Sequence, residues 1–594
     1  MAEAIISPGV YTNENDQSAV TQGPIVAGAA IVGPTVNGIP YVPTLVTSYS
    51  DYIAKFGVTF ESGANGTYEY LTSIAAKNYF DNGGDTLLVT RITHAGTGSS
   101  ALNSFASASI PKSGSTDAVL PASSSFYLET LAWGNQMNNS GSILSSGALV
   151  TGSATNVRWE INQVDYSRGT FTLLIRSGND NNSQKNILET WTNLSMDVNQ
   201  PNYIARVIGN TKPVYTYSAA DGQGYIDNIG DFPNASRYVR VASVPQAQFN
   251  TFDNNGNYIS ASYSGSLPNI GSGSLAGAFS GGIADTNLGK FMFENITTSA
   301  TNAQGFTAAD YATALNLLNN TDEYQFNLLM TPGLFLAGGS APAIGSNGAD
   351  PIALCEGRAD ALAVVDPVPY GGSITSAKTA ANASNSSYAA TYWPWCQIFS
   401  SAMGKLVWVP ASVLMGGVFA FNDEVAAPWF APAGITRGGI PNVTRVERKL
   451  SLADRNNLYV DNVNPLASFP GNGVVVFGQK TLQQKATSLD RVNVRRLLIA
   501  LKGYISGVAR GLVFEQNTAA TRNRFLNQVN PYLDSVVQRQ GLFAYKVVMD
   551  ESNNTPSVVD RNQLIGQIYI QPTKTAEFII LDFTILPTGV EFPA

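Results

Sequence analysis

At 594 residues the chain is too long for a single hydrophobic core, and only 13% of it is charged, about half the share of an ordinary soluble domain. Such a surface is either covered by subunit contacts or built from Ser, Asn, Thr and Gly, both of which fit this composition. The formal net charge of −8 argues against general nucleic-acid binding, which needs a basic footprint.

The first residues, Met1 to Pro8, lack the basic and apolar regions of a secretory signal. No apolar run reaches the roughly 18 residues of a membrane span. Ile5 to Tyr11 reads as an extended arm, with strand formers broken by Pro8-Gly9, and Thr12 to Ser18 is polar. Pro24 to Pro34 reads as a proline-bounded apolar strand. Ser50 to Gly57 fits a short helix with a glycine stop, and Tyr68 to Phe80 a second helix with Leu71, Ile74, Ala75 and Tyr79 on one face. Thr86 to Ile92 fits a buried strand, so the order is α/β.

From His94 to Pro351 the chain turns rich in Ser, Gly, Asn and Thr. Short strands are expected at Val157 to Val164 and Thr170 to Arg176, and a helix at Thr307 to Leu318. Trp133, Trp159 and Trp191 favour folded β-rich insertions over disorder. The α/β pattern returns at Ala361 to Pro369, with strands at Leu406 to Pro410 and Gly473 to Phe477.

Asn493 is placed to cap a helix whose stripe is Leu497, Leu501, Ile505, Val508 and Leu512. A second helix from Thr518 to Gln540 turns Phe525, Val529, Leu533 and Val536 inward, with a bend expected at Pro531 and a stop at Gly541. Strands are expected at Leu542 to Met549, Leu564 to Gln571 and Ala576 to Leu586. Lys480 to Lys546 holds 11 Lys or Arg against 3 Asp or Glu, net +8, on a remainder of net −16. This basic block is either solvated helix surface or a contact for an acidic partner.

Catalytic chemistry finds little support. His94 is the one histidine, which excludes a multi-histidine metal site. Cys355 and Cys396 have no Cys-x-x-Cys spacing and cannot build a disulfide framework; reduced, buried thiols are expected, as in a cytoplasmic compartment. Gly473 to Thr481 comes near a phosphate loop, but Gln479 stands where the lysine belongs. Glu356, Asp360 and Asp366 lack the spacing of a catalytic pair. No catalytic, metal or cofactor site is therefore expected.

Several segments together resemble the contractile phage tail sheath family. They are Ser7 to Tyr11, Cys355 to Asp360 with Val364 to Pro367, Ser387 to Trp395, Pro428 to Gly434, Gly478 to Leu482 with Phe477 before it, Val492 to Leu497, Phe514 to Asn517 and Ala576 to Phe578. The resemblance implies a discontinuous α/β sandwich core of subtilisin-like arrangement without a protease site, an α+β C-terminal domain and β-rich insertions. The expected divisions are an arm at 1–22 joining the C-terminal domain, core segments at 23–94 and 351–484, insertions at 95–205 and 206–350, and the assembly domain at 485–594.

A sheath must move its subunits without disconnecting them, and strands lent to a neighbour's sheet hold while loops hinge. Ile5, Ile6, Val10 and Tyr11, with Ile579, Leu581, Phe583 and Ile585, are the expected strand-exchange residues. Lys485, Arg491, Arg495, Arg496, Lys502, Arg510, Arg522 and Arg524 are the candidates to face an acidic tail tube. The insertions are expected to point outward. Expected partners are copies of the chain itself, the tail tube protein, and baseplate and tail terminator proteins, with no nucleic acid and no membrane insertion. The expected place is the virion tail, after assembly in the host cytoplasm. Rivals are the sheath of a tailocin or related injection device, a β-rich adhesin, and a hydrolase on the same core.

Overall fold

The computed structural model describes residues 25–61, 67–93, 105–115, 123–133, 137–218, 223–251, 253–255, 257, 259, 261–282, 296 and 306–577. Eight strands form one sheet: β1 (Ala29–Pro34), β2 (Thr44–Val46), β3 (Leu87–Ile92), β4 (Leu328–Phe335), β5 (Leu362–Asp366), β6 (Ala389–Trp393), β7 (Val463–Phe469) and β8 (Gly473–Val476). Their order is β8-β7-β6-β5-β4-β1-β3-β2. The six inner strands run parallel, and both edge strands are antiparallel to their neighbours.

Alternation within β1 shows why its strand reads as an unbroken apolar run. Ala29 and Ile31 join one core, Ala30 and Val32 the other, as expected of a parallel sheet buried on both faces. The first core is closed by α1 (Tyr49–Phe56), α2 (Leu71–Asp81) and a later helix, α6 (Ala411–Val425). The second is closed by α3 (Ala308–Leu318), α4 (Pro351–Arg358), α5 (Ile374–Asn382) and part of α7 (Leu452–Val460). Local chemistry sets the helix starts. Ser48 accepts from the Asp51 N–H before α1, Thr307 and Asp310 form a capping box at α3, and Asp350 caps α4 with Pro351 at its first position. Helices α2 and α6 approach closely at Gly417, where a Cβ would lie 2.7 Å from the Asn78 carbonyl oxygen.

Two expected divisions do not follow the packing. Helix α3 and β4 belong to the central layers, so residues before 351 already contribute to the core. The Pro332-Gly333 pair obscured β4. It falls where the β4–β5 pairing shifts between Met330 and Phe335, a place that tolerates proline. The division at 205/206 also cuts one hydrophobic cluster. Two antiparallel sheets share that cluster: Phe105–Pro111, Ser124–Trp133 and Val239–Ser243 on one side, Val157–Asp165, Thr170–Ser177 and Ile187–Ser195 on the other. Leu128, Trp159, Phe171, Ile204, Ile208, Val239 and Phe279 all meet inside it.

The C-terminal domain has α8 (Val492–Arg510), α9 (Ala519–Gln538) and a hairpin of Leu542–Val548 with Gln567–Pro572. Leu497, Leu501, Phe525, Val529, Leu533 and Val536 form its core, and Ile505, Val508 and Leu512 pack at the margin. Helix α9 runs on through Pro531. Asn493 is not the cap: Arg491 precedes α8, and Asn493 is buried within the first turn. The left-handed residue after α9 is Gln540, at φ 62°. Gly541 follows, donating its N–H to the Val536 carbonyl at 2.8 Å, and packs against Trp429 where a side chain would collide. The expected arm at 1–22, with Ile5, Ile6, Val10 and Tyr11, lies outside the described residues. So do Ile579, Leu581, Phe583, Ile585 and His94.

Candidate functional site

The segment Gly478 to Leu482 leads from β8 toward α8 and is the joint between the core and the C-terminal domain. Asn464 on β7 fixes it: its Nδ2 donates to the carbonyls of Thr391 (3.0 Å) and Lys480 (2.7 Å), and its Oδ1 accepts from the Lys480 N–H at 2.6 Å. The Leu482 N–H donates to Ala389 on β6, and the Val492 N–H to Gln479. Thr481 Oγ1 donates to the Leu489 carbonyl. Lys480 Nζ donates to the Tyr459 carbonyl at 2.7 Å and lies over the Tyr459 ring. Burial, and then the Arg491 charge, lower the Lys480 pKa. The lysine of this near-phosphate motif is thus a strut between loop and helix.

The same joint grips the chain as it leaves the terminal hairpin. Arg491 Nε donates to Glu577 Oε1 at 2.7 Å, Gln479 Nε2 donates to that oxygen at 3.0 Å, and the Tyr459 hydroxyl donates to Oε2 at 2.9 Å. Gln479 Nε2 also reaches Thr575 Oγ1 at 2.6 Å. Burial pulls the Arg491 pKa down, but the hydrogen bond to Glu577 and the charges of Tyr459, Glu577 and Asp490 together outweigh it and leave the guanidinium more firmly charged.

A second set of contacts ties α8 and α9 to the core. Arg496 Nη1 donates to Asp423 Oδ1 on α6 at 2.8 Å, above the Phe419 ring. Arg495 stacks on Tyr388 with 3.9 Å to the ring centre and donates to Ser387 Oγ. Trp429 Nε1 donates to the Arg539 carbonyl at 3.0 Å.

These contacts correct part of the basic set. Arg495, Arg496 and Arg522 are buried, Arg522 with Asn517, and Arg491 is held by Asp490 and Glu577. Long basic side chains at half-buried helix positions turned inward because carboxylates and rings were waiting there, which spacing alone does not reveal. Lys485, Lys502, Arg510 and Arg524 are exposed. Arg524 pairs loosely with Glu515, and Arg510 with Asp322.

The other sequence candidates are structural. Arg358 is buried, gives its guanidinium to Asp360 and to the Leu318 and Tyr324 carbonyls, and stacks on Phe326. Asp366 accepts from the Ser412 N–H (2.9 Å) and hydroxyl at the start of α6. Burial raises its pKa to about 7 against those hydrogen bonds. Cys355 and Cys396 are buried thiols, pushed well above the usual thiol range by burial. Among the described residues no cluster of His, Cys, Asp or Glu could hold a metal ion, and no helix is long and apolar enough to cross a membrane.

Residues 304–482 match the phage tail sheath protein central domain, and residues 484–585 the phage tail sheath C-terminal domain. The tail sheath protein of Vibrio phage KVP40 is 40% identical over 185 residues, 31% of this chain and 28% of that protein. The tail sheath protein of Enterobacteria phage T4 is 38% identical over the same length, again 31% of this chain and 28% of the relative. The match therefore spans little more than a quarter of each relative's length. The crystal structure of a sheath tail protein from Listeria innocua superposes over 92% of this chain and 95% of that one, with a TM-score of 0.50 and 9% identity, which is a likeness of fold. The joint described above lies where the two matched domains meet, between residues 482 and 484, and the two sheath domains follow one another in order along this chain.

Proposed function

We propose that the chain is a structural subunit of a contractile tail sheath. Copies polymerise helically around a tail tube, and shortening of the lattice drives the tube through the host envelope. The observation that carries this reading is the consecutive match to two sheath domains from 304 to 585. Energy is stored in an extended lattice that relaxes to a compact one, so no cofactor is required.

The terminal hairpin supports strand exchange. It has two strands and pairs with no third among the described residues, and an isolated two-stranded hairpin is marginal in water. Strands from the arm (Ile5, Ile6, Val10, Tyr11) and from the terminal segment (Ile579, Leu581, Phe583, Ile585) of neighbouring copies complete it. Lys485, Lys502, Arg510 and Arg524 face the tube. Contacts of this exposed kind contribute about 0–1 kcal/mol each, weak enough to release during contraction. The core is of subtilisin-like arrangement, in keeping with a parallel sheet covered by helices on both faces. The β-rich module at 105–280 points outward, and baseplate and terminator proteins close the two ends.

The test is polymerisation of the purified chain with and without the residues before Gly23, followed by negative-stain microscopy. The full chain forms tubes, and the truncated one stays a folded monomer. Tubes from the truncated chain would contradict strand exchange by the arm.

A further inference from the structure

The terminal segment follows the hairpin of the C-terminal domain, yet its contacts change owner within a few residues. Thr573 still donates its N–H to the Gly541 carbonyl at 3.2 Å. By Thr575 and Glu577 the side-chain partners are Gln479 on the joint, Tyr459 on α7 of the core, and Arg491 at the foot of α8. Tyr459 and Gln479 are themselves fixed to the core through Lys480 and Asn464. Three donors reach both oxygens of one carboxylate, and the Arg491 and Glu577 side chains are only 24% and 18% exposed. Salt bridges at that depth are little screened, and hydrogen bonds to a charged group are the strong ones.

We infer that Glu577 is a latch that positions the terminal segment on the α/β core instead of on the hairpin it follows. Residues 575–577 are held there by Tyr459, Gln479 and Arg491. If the C-terminal domain swings about the joint, the terminal segment either stays with the core or the latch opens. In the sheath reading, on which this consequence rests, the strand lent to a neighbour is therefore steered by the lender's core.

The latch itself can be read in the monomer. Lys574 is exposed and is the last tryptic site of the chain, so trypsin releases residues 575–594 at a rate that reports how firmly the segment is held. Glu577→Gln and Tyr459→Phe raise that rate by about tenfold or more, the equivalent of one lost charge-assisted hydrogen bond. The control Glu515→Gln, which removes an exposed carboxylate on the same domain, leaves it unchanged. Equal release from wild type and both latch variants would overturn the latch whether or not the protein forms tubes. In the assembly arm, Glu577→Gln raises the concentration needed for tube formation or changes the tube geometry. Tubes formed at the wild-type concentration with wild-type geometry would overturn the steering role. Failure of wild type to form tubes would count against the sheath reading, leaving the proteolysis result to decide the latch.

Discussion

Asp366 shows how one buried side chain in a family-like motif serves the fold. It sits at the end of β5, accepts two hydrogen bonds from Ser412 and joins the sheet to α6. Its pKa in the fold, about 7, lies above the roughly 4 of an unfolded aspartate. The folded state therefore binds the proton more tightly. This group favours folding most below pH 4, and its contribution declines as pH rises to about 7. Asp366→Asn removes that slope, so urea melts of wild type and variant across pH 4 to 8 should converge in their pH dependence except for this term in the wild type. An identical slope in both would place the titration elsewhere. Arg496 tests the joint. Arg496 is buried while Asp423 is 30% exposed, so Arg496→Ala should lower stability in denaturant melts by less than the about 3 kcal/mol of a fully buried pair. Arg496→Met with Asp423→Leu should cost less, because no charge is left stranded. Equal losses would mean that packing over Phe419, and not the charge pair, carries the effect.

At the scale of elements, periodic apolar segments were legible and the rest depended on partners far away in sequence. The stripes of α8 and α9 were readable because Leu497, Phe525, Val529 and Leu533 repeat at helical spacing and meet as that spacing requires. Strand β4 was hidden because Pro332-Gly333 breaks a run that the sheet accommodates as a pairing shift. The cap of α8 was misassigned because Asn493 suits a cap by type, while the structure buries it beside the Trp429 carbonyl. The basic block was legible as composition, but which cations remain exposed depended on Asp423, Ser387 and Glu577, separated from them by 73 to 108 positions. The latch carboxylate was invisible to spacing because its three donors come from three elements. Gly541 offers an element-scale test. A Cβ there would stand 2.6 Å from Val536 Cγ1 and 3.1 Å from the Trp429 ring. Gly541→Ala should cost about 1–3 kcal/mol through overpacking, seen as a lowered denaturant midpoint. An unchanged midpoint would mean that the α9–Trp429 contact yields without cost.

For the whole molecule, the architecture is a mostly parallel sheet closed on both faces, carrying a β-rich module on one long excursion and a C-terminal domain on a hydrogen-bonded joint. In the proposed sheath the joint and the open hairpin are the places where subunits would connect and reorient. Charge reversal at Lys502 and Arg510 should weaken attachment to a tail tube without affecting tube formation by the sheath chain alone, measured by co-sedimentation across salt concentrations. Attachment that neither salt nor reversal alters would remove the electrostatic contact from the account.

The central claim is that identical copies connect through exchanged chain ends. Electron microscopy of assembled protein, at a resolution that traces the backbone, tests it most directly. The account predicts that the hairpin Leu542–Val548 with Gln567–Pro572 is completed by strands from two other copies. A lattice in which each hairpin is completed only by its own chain, or a protein that stays monomeric at every concentration, would contradict it.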